Sequence, residues 1–295
     1  MDQFASRMRS STLISHQIRS RCTTRASPRL PSRARLHTPG RLVSETPTPA
    51  APASPLNSRW LSDLQARIRR IASVESRSGK HEEARQLLRL TETQWLGFLA
   101  GRDGFLTGEG WRGLDRHQVN WGDMVSSARR TAYVWVVSGH VNNVMYNKFA
   151  ESARVNWILS HGKRDGPEAA KEWAEIMSPR GVGLILKSIK TDFKFPMAYP
   201  DQVTVVYKLA ERPTYASDHL KLDALLLSEQ HRRVAARCIE EVTIYDYRAA
   251  KKAVLPPHMV DRLAETYELQ EEARREFDER ANGVFKAIQE IEAKE

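Results

Sequence analysis

Hydrophobic positions change their period along the chain. From about residue 143 to 160, Tyr146, Phe149 with Ala150, Ala153, Trp157 and Ser160 recur at steps of three and four. That spacing draws one wide stripe along a helix, with Asn147, Lys148, Glu151, Ser152 and Arg154 mostly off it. Asn142 and Asn143 stand in front as good caps, because their side-chain oxygens can take the free N–H groups of a first turn. A helix so striped must pack along its whole length on something large. After a polar helical connection from Asp165 to Met177, the period falls to two. The stretch Val182–Phe195 ends with Ile189, Thr191, Phe193 and Phe195 on one face and Lys190, Asp192 and Lys194 on the other. Val203–Leu209, Leu220–Leu227 and Val234–Tyr247 follow, divided by turn signals such as Tyr199-Pro200-Asp201, which predicts an antiparallel meander. Cys238, among Ala235, Ala236 and Ile239, reads as a small buried side chain.

Helical periods return on both sides. From Asn57, Trp60, Leu61, Leu64, Ile68 and Ile71 share a face opposite Arg67, Arg69 and Arg70. A second helix is predicted from about Lys80 to Ala100, with Ala84, Leu87, Leu88, Trp95 and Leu99 inward. Gly101, Gly104, Gly108, Gly110 and Gly113 break regular structure, and Leu114–Met124 reads as a strand leading to a turn. Beyond Pro256-Pro257, a long charged helix over Met259–Glu295 keeps Val260, Leu263, Tyr267, Phe277, Ala281, Val284, Ile288 and Ile291 in step. Gln270 and Arg274 interrupt that stripe, which favours a helix lying on its own domain or a partner over a coiled coil.

Composition narrows the class. The 295 residues suffice for one large or two small domains, with no apolar run long enough to span a bilayer. Two cysteines, Cys22 and Cys238, make no disulfide framework, and no Cys/His spacing suggests a metal site. The net charge of +10 is concentrated: residues 1–41 hold nine Arg, no Lys and one acid. That composition predicts a mitochondrial transit peptide over 1–41 and a matrix location; a basic tail for nucleic acid is the competing reading. Residues 46–55, within a disordered linker at 42–56, are proline-rich and stiff. The remaining 254 residues carry only +2, which gives no argument for DNA as a partner.

The segment Gly139-His140-Val141-Asn142-Asn143-x-x-Tyr146, followed by Glu151, Ala153 and Arg154, resembles the hot-dog fold thioesterases of the 4-hydroxybenzoyl-CoA thioesterase type, here as a fungal-type mitochondrial member. The resemblance implies an α+β hot-dog fold over 114–256, an antiparallel sheet wrapped around a central helix. Helices would be added at 57–113 and 257–295. It further implies a homodimer or dimer of dimers, an acyl- or aryl-CoA substrate and no cofactor beyond the CoA of that substrate. Trp121-Gly122-Asp123-Met124 resembles the end of the family's first strand, and Phe193–Pro196 through Tyr199–Val203 its second-to-third strand turn. In the family the catalytic Asp directly follows the Met. Val125 stands there, and residues 125–138 fill a place where about three would serve. Three readings are open: a true insertion with the Asp lost, a first strand at Tyr133–Val137 with an accidental upstream match, or a retained intron, since a common splice donor encodes Val-Ser.

Thioester hydrolysis needs a carboxylate to attack or to activate water. It also needs donors for the oxyanion, which a helix N-terminus supplies with a favourable dipole. The candidates are His140, Asn142, Glu151 and Asp123 for catalysis, and Gly139, Asn143 and Tyr146 for substrate binding. Each has a plainer reading: a turn histidine, helix caps, a Glu151–Arg154 ion pair at i+3, a core tyrosine. Contacts to CoA would come from Lys187, Lys190, Lys194 or Arg232 on the sheet rim. No Gly-x-Ser-x-Gly elbow, phosphate loop or dinucleotide fingerprint is present. The alternatives are a non-catalytic hot-dog module that binds a mitochondrial partner, RNA-containing or not, through the basic face at 59–70, and a dehydratase or isomerase using His140 with Glu151.

Overall fold

The structure, a computed structural model, describes residues 59–73, 79–124 and 139–293. The expected transit peptide, the proline-rich linker and residues 125–138, with Val125 and Tyr133–Val137, lie outside them. Helices α1 (Trp60–Ala72), α2 (Gly79–Thr93) and α3 (Trp95–Leu99) lead into β1 (Arg112–Gln118). Then come α4 (Asn143–Asp165), α5 (Pro167–Glu175) and strands β2 (Val182–Phe193), β3 (Gln202–Leu209), β4 (His219–Ser228), β5 (Arg233–Asp246) and β6 (Lys251–Lys252). Helix α6 (Pro257–Glu292) closes the order. The expected helix over 80–100 divides at Gln94, and the stretch read as a strand leading to a turn is a strand over Arg112–Gln118 followed by a 3-10 turn at Trp121–Met124. Gly97 and Gly101 lie under the Phe277 ring, where an added Cβ would approach to 2.2 and 2.4 Å.

The sheet is antiparallel in the order β1-β3-β4-β5-β2, with β6 beside β5. Strands β3, β4 and β5 form the predicted meander. Strand β2 departs from it: it pairs with β5 at the far edge, not with β3. The chain from β1 to β2 therefore passes from one edge to the other, and α4 lies across the sheet between them. β1 is bonded to β3, so the upstream stretch is a strand of this sheet.

The striped face of α4 enters the core between helix and sheet. Tyr146, Phe149, Ala150, Ala153, Trp157 and Ile158 meet Val203, Val205, Tyr207, Leu222, Ala224, Leu226, Ala236, Cys238 and Val242. Burial of such side chains contributes roughly 1.5–3 kcal/mol each. Gly113 lets β1 approach the helix: a Cβ there would lie 2.4 Å from the Ala153 carbonyl oxygen. Arg154, expected off the stripe, is buried and paired to Glu240 of β5 at 2.8 Å.

The opposite face of the sheet carries a second core. Val206, Leu225 and Leu227 pack with Leu61, Leu64 and Ile68 of α1, Phe98 of α3, and Ala281, Val284, Ile288 and Ile291 of α6. Earlier on α6, Met259, Val260 and Leu263 belong to the first core. The helix, about 54 Å long at 1.5 Å per residue, thus passes from one face of the sheet to the other. At the crossing Gln270 is buried; its Nε2 donates to the Leu209 carbonyl at 3.0 Å and its Oε1 accepts from the Leu209 N–H at 3.1 Å. The polar break in the stripe is where the helix meets the backbone end of β3. No described helix is long and apolar enough to cross a membrane.

Candidate active site

Four connections gather at the end of the sheet where α4 begins: 119–124, 139–142, 194–201 and 229–232. Backbone bonds tie them together. Asn142 N–H donates to the Asp123 carbonyl at 2.8 Å, Val141 N–H to Met197 at 2.7 Å, and Val119 N–H to Asp201 at 2.9 Å. Tyr146, in the first turn of α4, accepts from Met197 N–H through its hydroxyl at 3.0 Å and donates to the Phe195 carbonyl at 3.4 Å. Burial pushes its phenol pKa up, so the hydroxyl keeps its proton at neutral pH.

Asn142 is the N-cap, its Oδ1 accepting from Val144 N–H at 3.0 Å. Met145 N–H turns back to the Asn142 carbonyl at 2.9 Å. These bonds engage two of the first N–H groups and leave that of Asn143 at the helix tip, where the helix dipole favours negative charge. Gly139 and His140 are exposed, and His140 Nδ1 lies 3.0 Å from the Val141 carbonyl. The Asp123 carboxylate accepts from Asn120 N–H at 2.7 Å, capping the 3-10 turn. Asp123, His140, Asn142, Asn143 and Tyr146 are therefore brought together.

Glu151 is not among them. It lies eight residues along α4 from Asn143, about 12 Å at the helical rise, whereas a base must reach its proton at about 3 Å. Glu151 is exposed, and the expected bond to Arg154 is absent, because Arg154 turns inward to Glu240. Tyr207 completes that buried group, its hydroxyl 2.9 Å from Glu240 Oε1 and 2.8 Å from the Ala150 carbonyl. Glu240 was not foreseen. Its signal was an acid on the inward register of β5, in line with Ala236, Cys238, Val242 and Ile244.

Aromatic rings border the helix tip. Trp121 meets Tyr199 edge-on at 5.9 Å, Tyr146 meets Phe193 at 5.3 Å, and Trp121, Tyr199 and Phe193 are about half exposed. Beside them an open groove of about 500 Å³ is lined by Arg116, Gln118, Pro200, Asp201, Gln202, Glu229 and Gln230. The buried Cys238 thiol, pushed up to about 11 by its surroundings, is no nucleophile. No cluster of His, Cys, Asp or Glu among the described residues could hold a metal.

Of the rim cations expected to meet CoA, Lys187 is paired with Glu241 at 2.7 Å and Lys190 with Asp192 at 3.2 Å. Two cations of the basic face of α1 are likewise engaged: Arg67 with Glu292 and Arg69 with Glu92, each at 2.7 Å.

No curated protein matches the sequence. Among solved structures, a thioesterase from Thermus thermophilus complexed with coenzyme A and zinc is 18% identical, with a TM-score of 0.38, over 55% of this chain and 98% of the other. A DHNA-CoA thioesterase from Staphylococcus aureus is 15% identical, with a TM-score of 0.39, over 52% and 90%. Residues 118–263 match the family described as the thioesterase-like superfamily. This segment, which holds the central helix, four of the five long strands and every candidate residue, is similar to that superfamily over just under half of the chain.

Proposed function

We propose that the protein hydrolyses an acyl- or aryl-CoA thioester to the free acid and CoA, as a homodimer in the mitochondrial matrix. The observation that carries this reading is the tip of α4, where Asn142 caps the helix and its N–H donates to the Asp123 carbonyl, so that the turn holding Asp123 is joined to the helix N-terminus and its dipole. In the proposed step the Asp123 carboxylate takes a proton from water as the water oxygen bonds to the thioester carbonyl carbon. The oxyanion is held at the helix tip. It collapses with cleavage of the C–S bond, and the departing thiolate takes up a proton. Trp121, Tyr199 and Phe193 offer an apolar wall to the acyl or aryl group. A dimer is supported by β2, whose outer edge pairs with no other described strand and would otherwise be open to edge-to-edge association. The matrix location rests on the Arg-rich, acid-poor composition of 1–41. The non-catalytic reading loses support because Arg67 and Arg69 already meet acids of the chain itself.

The test is thiol release from a panel of acyl- and aryl-CoA substrates. Asp123→Asn is expected to lower kcat about 100-fold, the range for a lost general base, with CoA binding retained. Activity equal to wild type would remove Asp123 from the mechanism. A second variant replaces 125–138 with a three-residue turn beginning with Asp. The 2.8 Å bond between Asn142 and Asp123 shows that the flanking chain meets closely enough for such a turn. Its activity is expected to exceed wild type. Sequencing the spliced transcript between the codons for Trp121 and Asn143 decides whether the natural chain already has this form.

A further inference from the structure

Asn143, Asn147 and Glu151 of α4 stand four residues apart, so they form one polar row along the helix. Asn147 is the member fixed to the sheet. The Thr191 hydroxyl of β2 donates to its Oδ1 at 2.6 Å. That is the length of an O–H···O bond and shorter than an amide N–H donor normally gives, so the side-chain oxygen faces Thr191. Both Nδ2 hydrogens are then left for another acceptor, and none of the described residues accepts from them. Asn147 is exposed, so these donors open onto the space beside α4.

The surroundings are those of the apolar wall. Thr191 and Phe193 lie two residues apart on the inward side of β2, opposite Cys238 and Ala236 of the core. Phe193 is about half exposed and meets the ring of Tyr146, which directly precedes Asn147. One polar pair therefore interrupts an apolar surface. A surface amide that only met water would need no such anchor. Lys148, Glu151 and Ser152, also off the apolar stripe, form no hydrogen bond to a strand among the described residues. Four residues separate Asn147 from Asn143 at the helix tip, about 6 Å at the helical rise.

We infer that Asn147, held by Thr191, determines specificity for the acyl group: its amide donates to an oxygen acceptor carried about 6 Å along that group from the thioester carbonyl. The preferred substrate class is then a short acyl group with a keto or carboxylate oxygen at that reach. The inference rests on the hydrolase reading and names the kind of acyl group that reading leaves open. A plain acyl chain of the same length would cover the Nδ2 donors without satisfying them, and a site built to bond a substrate oxygen discriminates against the analogue that lacks it. Thr191 acts through Asn147 and is a positioning residue.

Thiol release by the full chain is measured with hexanoyl-CoA, 5-oxohexanoyl-CoA and glutaryl-CoA. The first two differ by one carbonyl oxygen, and the third offers a carboxylate at similar reach. Wild type is expected to favour one oxygen-bearing ester over hexanoyl-CoA by about tenfold in kcat/KM, the scale of one hydrogen bond left unmade, and the preferred ester identifies the acceptor as ketone or carboxylate. Asn147→Leu should bring that ratio to about one. Thr191→Val should lower it, and Thr191→Ser, which restores the hydroxyl, should return it. Lys148→Leu, the exposed neighbour on α4, should keep the wild-type ratio. The readout is a ratio within each variant, so a general loss of activity or of folded protein cancels. A wild-type ratio near one, or a high ratio kept by Asn147→Leu, would overturn the assignment and leave the hydrolase reading standing. A ratio unmoved by Thr191→Val would remove Thr191 from it. Absence of hydrolysis of all three esters and of the wider CoA panel would overturn both readings.

Discussion

Replacing Glu240 by leucine removes the only acid paired with Arg154 among the described residues. Arg154 comes from α4 and Glu240 from β5, with 8% and 0% of their side chains exposed, so the pair joins the central helix to the sheet away from water. Without the carboxylate the guanidinium stays buried without a counter-charge, and Tyr207 loses one partner of its hydroxyl. Breaking a buried pair in this way costs about 3–5 kcal/mol. At about 2–4 °C per kcal/mol for a chain of this size, the melting temperature should fall by about 10 °C. The double variant Arg154→Met, Glu240→Leu removes both charges and fills the space with apolar atoms. It should lie within about 1–2 kcal/mol of wild type, because the attraction within the pair is largely offset by the cost of drying two ions. Urea unfolding of the wild type, both single variants and the double variant gives the coupling energy directly. A Glu240→Leu variant no less stable than the double variant would refute the reasoning, since the unpaired guanidinium would then carry no penalty.

Two further outcomes follow from buried polar groups. His161 is fully buried, with Nδ1 2.9 Å from the Trp157 carbonyl and Nε2 without a partner among the described residues, and burial pushes its pKa down to about 4. It folds neutral and unfolds to a base near 6.5, so stability should be full above about pH 6.5 and fall by up to about 3 kcal/mol as the pH drops to about 4. His161→Gln should lose that part of the slope in urea titrations across this range, and an unchanged slope would show that His161 does not carry it. Gln270→Ala strips both Leu209 backbone groups of their partner, at a cost of about 1–3 kcal/mol; thermal melts matching wild type would mean that water takes its place.

The start of α4 is legible in the sequence. Asn142 caps α4 because a short polar side chain before an apolar period satisfies a local need, and local needs are written in neighbouring residues. The same holds for the stripe of α4 and for the meander β3–β4–β5, whose strands pair in sequence order. The place of β2 beside β5 was not legible, since pairing across the sheet depends on which edge the crossing helix reaches. Nor was the turn of Arg154 into the core. Its spacing to Glu151 allows a surface pair, and only the inward Glu240, 86 residues away, makes burial the better choice. Likewise, four similar cations lie on the rim in sequence, yet Lys187 and Lys190 meet acids while Lys194 and Arg232 form no ion pair among the described residues. Periodicity and caps are short-range and determine the elements. Charges act through whatever lies nearest in space, so which of them remain for function is decided by the fold.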